Sequence, residues 1–270
     1  MRAGDVLFRE GDDAEHVLFM IDGRLRLSRE GRHDWVYEGR WVIGSIDVLV
    51  GRRRRRTATA ETNTRLTRMS AARWFEAIRD RPDVLLDTLS DFARGCCELY
   101  AKLAPDAGFA QPTPAAPPLD ASSLSGRARA LASLPLLRGV GAQVIFEVAA
   151  LAKTHSLAPD EALFEAGTSP QRAFVVTRGL VEARRRDPDA SATFAAGSLV
   201  GGALFLGDVT SAWTARALGP AEVLSFSIDD LFDHLEEHHD SLRAVLGTFS
   251  FEQERLREEL SEREGELLLR

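Results

Sequence analysis

Gly4-Asp5-Val6-Leu7-Phe8-Arg9-Glu10-Gly11, running on to Gly23, recurs as Asp160-Glu161-Ala162-Leu163-Phe164-Glu165-Ala166-Gly167, running on to Gly179. Leu7, Phe8, Gly11 and Gly23 fall on Leu163, Phe164, Gly167 and Gly179 with one offset and no gap. A repeat this long exceeds a solenoid unit and suits a whole domain. The chain therefore reads as two related domains in tandem, and 270 residues give each its own core.

From Gly4 to about Met69, short β-branched and aromatic runs alternate with glycine-marked turns, such as Val17-Leu18-Phe19-Met20-Ile21 before Asp22-Gly23. That spacing predicts an antiparallel sandwich or barrel. Ser70 reads as a helix N-cap, and periodic apolar residues through Phe75, Ile78, Leu85 and Leu89 carry the helix to about Leu103. Pro105, Pro112, Pro114, Pro117 and Pro118 mark a linker. Helical segments follow near 127–137 and 142–151, a second β-rich stretch runs from about Leu157 to Phe226, and Ser227 caps a helix expected to extend nearly to the C-terminus. The expected layout is domain 1 over 1–103, a linker over 104–123, and domain 2 with its C-terminal helix over 124–270.

Both long helices carry heptad spacing. Leu85, Leu89, Phe92, Cys96, Leu99 and Leu103 form one seam; Leu242, Leu246, Phe249, Gln253, Leu256, Leu260, Arg263 and Leu267 form the other. A 3.5-residue period wants a partner helix, although packing of each seam on its own barrel competes. The second helix outruns one barrel's width, which favours helix–helix pairing there.

The net charge of −7 argues against generic nucleic-acid affinity, but it is uneven: Arg52 to Arg56 are unbroken arginine, whereas Glu252 to Glu266 is strongly acidic. Such runs are most often solvated faces. Cys96 and Cys97 are adjacent and offer neither a disulfide framework nor a spaced metal pair. No apolar run approaches a membrane span and no signal-peptide core opens the chain, so a cytoplasmic protein is expected. The six histidines are scattered without a metal pattern. No nucleophile triad, paired-carboxylate site or P-loop stands out, so neither an enzyme nor a metal protein is expected.

At Gly44 a further pattern emerges. Val42-Ile43-Gly44-Ser45-Ile46-Asp47-Val48-Leu49-Val50-Gly51, then Arg52 to Arg56 and Thr57-Ala58-Thr59-Ala60, resembles the phosphate-binding cassette of cyclic-nucleotide-binding domains. These occur in catabolite-activator-type regulators and protein kinase A regulatory subunits. The resemblance implies two tandem antiparallel jelly-roll barrels, each followed by a long amphipathic helix. It also implies a short helix whose free N–H groups and dipole meet a cyclic phosphate, helped by an arginine. In domain 1 it points to Gly44, Ser45, Ile46, Asp47, Arg54, Arg55 and Thr57 as ligand residues. Ser45 stands where the family has Glu for the ribose hydroxyl, and Arg55 and Arg56 stand where it has small residues. In domain 2 it points to a degenerate set, Gly201, Gly202, Thr210 and Ser211, in a cassette read as one residue shorter, with Thr210 at the arginine position.

Two readings follow. In the first, a non-catalytic regulatory protein senses cyclic AMP, cyclic GMP or a similar phosphorylated small molecule through domain 1 and transmits it through its helices. In the second, degenerate domains and heptad helices form a ligand-free scaffold for partner binding or a homodimer. The family's helix-turn-helix has no counterpart after Asp240, so sequence-specific DNA binding is not expected.

Overall fold

A computed structural model describes residues 1–79, 81–103, 117–186, 189–201 and 210–269. In chain order the first elements are β1 (Val6–Phe8), β2 (His16–Asp22), β3 (Arg24–Ser28), β4 (Trp35–Glu38), β5 (Trp41–Ile43), α1 (Ser45–Leu49), β6 (Thr57–Ala60), β7 (Arg65–Ser70), α2 (Ala71–Arg79) and α3 (Pro82–Leu103). Next come α4 (Leu124–Ala132), α5 (Ala142–Leu151), β8 (Lys153–Leu157), β9 (Ala162–Phe164), β10 (Arg172–Arg178), β11 (Val181–Arg186) and β12 (Asp189–Phe194). The last are β13 (Leu199–Val200), β14 (Thr214–Ala217), β15 (Ala221–Ser227), α6 (Ile228–Glu237), α7 (His239–Glu264) and β16 (Leu267–Leu269). They form two units: Met1–Val84 together with Ser250–Arg270, and Leu85–Phe249. The sequence boundaries differ, having placed α3 with the first domain and all of α7 with the second.

In the first unit, alternation along β3 buries Leu25 and Leu27, which lie opposite Ala60 and Ala58 of β6. Large against small fills the space between two sheets. The sheets run β1-β6-β3-β4-β16 and β5-β2-β7. All pairings are antiparallel except that of β16, which lies parallel to β4 with Leu267 opposite Trp35. Gly23 turns β2 into β3 at φ +115°, and a Cβ there would stand 2.7 Å from Thr64 Cα. Only glycine fits.

The second unit repeats this order strand for strand. Its sheet β9-β14-β11-β12 matches β1-β6-β3-β4, and β13-β10-β15 matches β5-β2-β7, with β8 added beside β15. Gly179 repeats the role of Gly23: φ is +79°, and a Cβ would stand 2.6 Å from the Pro220 carbonyl. Both units are thus two-sheet antiparallel sandwiches of jelly-roll type; no closed barrel forms among the described residues.

The helices depart from the sequence expectation in three places. Ser70 does accept from the Arg73 N–H at 3.4 Å, but the helix after it breaks before Pro82, which opens α3. Proline lacks the N–H an unbroken helix requires and suits the first helical position. The final helical region also splits, at His238 (φ −125°, ψ 77°). It ends at Gly265, φ +87°, so Leu267 sits in a strand rather than on a helical seam.

In the second unit, Leu89, Cys96, Leu99 and Leu103 of α3 are buried, as are Leu242, Leu246 and Phe249 of α7. The Cys96 thiol lies 3.7 Å from the Phe249 carbonyl oxygen, so the two seams meet inside one chain. Further along α7, Leu256 and Leu260 are buried within the first unit. Most of the Pro-rich linker, 104–116, lies outside the described residues; beyond it, Ser123 caps α4 by accepting from the Gly126 N–H at 3.0 Å.

Candidate functional site

The first cassette is built around a close approach. β5 ends at Ile43, Gly44 turns the chain at φ 76°, and α1 begins at Ser45. The Arg54 guanidinium packs so tightly on this turn that a Cβ at position 44 would stand 2.2 Å from its Nη1. The backbone of Arg54 is fixed on both sides, its N–H donating to Asp12 O and its carbonyl accepting from Gly11 N–H, each at 2.9 Å. The first glycine of the repeat therefore locates the cassette arginine.

Its side chain is only 2 % exposed. Nη1 donates to the Gly44 carbonyl at 2.7 Å, Nη2 donates to the His16 carbonyl, and the guanidinium lies 4.4 Å from the Phe8 ring centroid. Nη1 is also 3.7 Å from Asp47 Oδ2, while Asp47 Oδ1 accepts from Arg52 Nε at 2.7 Å. Burial dominates both partners: it pushes Arg54 below the ordinary arginine value and Asp47 above the ordinary carboxylate value. Asp47 thus places a carboxylate beside the cation that the family reading reserves for phosphate. Ser45 and Ile46 are half-buried on α1, and Thr57 Oγ1 accepts from the Glu10 N–H at 3.0 Å.

The second cassette has the same hydrogen-bond frame. Gly167 N–H donates to the Ser211 carbonyl, and Ser211 N–H donates to Thr168 O, each at 2.8 Å. Thr214 Oγ1 accepts from Ala166 N–H at 3.0 Å, as Thr57 does from Glu10. Gly201, φ 92°, answers to Gly44. By this frame Ser211, not Thr210, occupies the place of Arg54, and the two cassettes are equally long; the one-residue slip falls between the first strands and the cassette. Ser211 is buried, donates to Trp213 O at 2.9 Å and accepts from Trp213 N–H at 3.0 Å. Its hydroxyl is consumed locally, and Thr210 is exposed. Gly202 lies outside the described residues.

The neighbouring arginines have partners that the sequence reading missed. Glu254 takes Arg52 Nη2 at 2.6 Å and Arg55 Nη1 at 3.2 Å. Glu258 takes Arg56 Nη2 at 2.7 Å, Glu262 pairs with Arg32, and Glu266 takes Arg26 Nη1 at 2.5 Å. The Arg26 guanidinium is held charged more firmly than usual, chiefly by Asp34. Arg56, 4 % exposed, also donates to the carbonyls of Leu27 (3.1 Å) and His33 (2.9 Å) and stacks 3.8 Å from the Trp35 centroid. The visible signal was glutamate at every fourth position, 254, 258, 262 and 266, matched by an opposite run at 52–56. Residues four apart share a helix face. Neither charge run is simply solvated.

Among the described residues no group of three or more His, Cys, Asp or Glu is placed to hold a metal ion, and no helix is long and apolar enough to cross a membrane. Burial pushes the Cys97 thiol up to about 12, far from a nucleophile.

The family model for the cyclic nucleotide-binding domain matches residues 1–81 and 154–238, more than half of the chain. The chain belongs to that family, in tandem, and the family is one of regulatory ligand-sensing domains rather than catalysts. Among curated proteins none matches the sequence. Similar solved structures include the regulatory domain of Toxoplasma gondii PKA with cAMP, at 17 % identity over 97 % of this chain and 84 % of that one, TM-score 0.39. Another is the regulatory subunit of a cAMP-independent protein kinase A from Trypanosoma cruzi bound to guanosine, at 12 % identity over 100 % and 83 %, TM-score 0.37. A third is the N-terminal domain of a transcriptional regulator from Streptomyces coelicolor A3(2), at 27 % identity over 47 % and 92 %, TM-score 0.42.

Proposed function

We propose that the chain is a non-catalytic regulatory protein whose first domain senses a cyclic nucleotide or a similar phosphorylated small molecule and whose helices carry the response. The observation supporting this is the fit of Arg54 against Gly44 at the start of α1, a juxtaposition that a side chain at position 44 would destroy. A ligand phosphate would replace the carbonyls of Gly44 and His16 as the guanidinium's partners, and such a charge-assisted bond contributes on the order of 1.5–3 kcal/mol. It would also compete with Asp47. Because Arg52 and Arg55 flank Arg54 and hold Glu254, rearrangement of the cassette would reach α7 directly. Calorimetry with cyclic AMP and cyclic GMP tests the reading: heat is expected from wild type and not from Arg54→Ala. Absence of heat from wild type at high micromolar ligand, with the variant indistinguishable, refutes it.

A second reading, the ligand-free scaffold acting through a homodimer or a protein partner, is favoured by the internal neutralisation of Arg54 and the local use of Ser211. It predicts ligand-silent calorimetry together with loss of association when α7 is altered.

A further inference from the structure

The first unit binds Ser250–Arg270 much as a receptor binds a ligand. Its body, residues 1–84, carries 17 Arg against 14 Asp or Glu; residues 250–270 carry four Arg against seven Glu. Glutamates at 254, 258, 262 and 266 meet Arg52 with Arg55, Arg56, Arg32 and Arg26 in turn. Within α7 successive rungs are about 6 Å apart along the axis. Between the rungs Leu256 and Leu260 are buried, and Arg257 donates to the Tyr37 hydroxyl at 3.2 Å. Past Gly265 the same segment adds β16 to the edge of β4, with Leu267 N–H donating to Asp34 O at 2.9 Å. Recognition thus uses three independent devices: a carboxylate ladder, apolar anchors and strand addition.

We propose that this arginine-lined face is a docking groove for an acidic helix followed by a short apolar strand, and that it accepts the Ser250–Arg270 segment of a second copy of the chain. All the groups that recognise the segment lie in residues 1–84, and the segment reaches them only after the whole of Leu85–Phe249 has intervened. Closure in cis is therefore a docking event between distant parts of one chain, and the same contacts are open to a second chain. A nucleic acid would satisfy the arginines but would leave the apolar anchor sites and the β4 edge empty. Covalent connection through α7 favours the chain's own segment, so the wild type stays in cis, and whatever weakens the cis contact passes the segment to a neighbour.

A charge-exchange pair tests this. One variant carries Glu254→Arg and Glu262→Arg; the other carries Arg32→Glu and Arg55→Glu. Each opposes its own segment, whereas in a mixture each segment finds a matching groove on the other chain. Light scattering after size exclusion is expected to show monomers for each variant alone and a doubled mass for the equimolar mixture. The chain carrying all four substitutions, matched again in cis, is expected to remain monomeric and folded, which separates mismatch from misfolding. Two unmixed monomers in the mixture overturn the proposal, as does homotypic dimerisation as strong as that of the mixture. Neither outcome depends on whether the cassette binds a nucleotide.

Discussion

Replacing Arg56 by methionine removes a cation whose side chain is only 4 % exposed, together with the guanidinium that stacks on Trp35. Three acceptors lose their donor: the carbonyls of Leu27 and His33, and Glu258 Oε1. The Glu258 side chain is 17 % exposed and its Oε2 already lacks a partner, so its charge would be left almost wholly uncompensated. Breaking one side of a buried pair costs about 3–5 kcal/mol. Removing both sides at once, with Arg56→Met and Glu258→Leu, replaces the ion pair by two apolar side chains and costs about 1–2 kcal/mol, largely for the two carbonyls. The double variant is therefore expected to be roughly 2 kcal/mol more stable than Arg56→Met alone. Hydrogen exchange read by mass spectrometry localises the effect: 3 kcal/mol corresponds to about a hundredfold faster exchange, expected in 254–269 and in β4, and largely reversed in the double variant. Exchange within threefold of wild type in the single variant would show that the pair does not hold the segment, and a double variant worse than the single would refute the account of the buried charge.

Two further outcomes follow from the same geometry. Asp47 has a folded pKa above its ordinary 3.8, so its contribution to stability is complete below that value and is lost as pH rises through the folded value. Asp47→Asn carries no such loss; in urea unfolding from about pH 4 to about 7 its stability relative to wild type should climb and then level off, and a flat or falling difference contradicts the burial argument. Gly167→Ala meets only backbone strain, at φ +87° with open space around the Cβ, and should cost about 1–2 kcal/mol. Gly179→Ala adds a collision with the Pro220 carbonyl and should cost clearly more by thermal unfolding; equal costs would count against the crowding seen at that turn.

The repeat was legible because its glycines are dictated by the backbone. Gly11, Gly23, Gly167 and Gly179 all sit at positive φ, and the strands between them pair in the same order in both copies. The neighbourhood of Gly44 and Arg54 was legible for the same reason, since one requires the smallness of the other. The far half of α7 was not. Heptad spacing at Leu256 and Leu260 states that a face is covered but not by what, and a sandwich satisfies it as well as a helix. Leu267 continued the seam arithmetically, yet Gly265 ends the helix and the run Leu267-Leu268-Leu269 pairs with β4 instead. The slip between Thr210 and Ser211 was hidden because one residue is gained before the cassette, where only the hydrogen bonds of Gly167 and Ser211 reveal the true register.

The parallel pairing of β16 with β4 also fixes an order of events during synthesis. Domains generally fold as they leave the ribosome, the N-terminal one first. Here the edge of β4 and the faces of Arg52, Arg55 and Arg56 wait for residues 254–269, whereas Leu85–Phe249 is complete earlier. The unit begun first is completed after the second, and a nascent chain carries its arginines bare until residues 254–269 emerge.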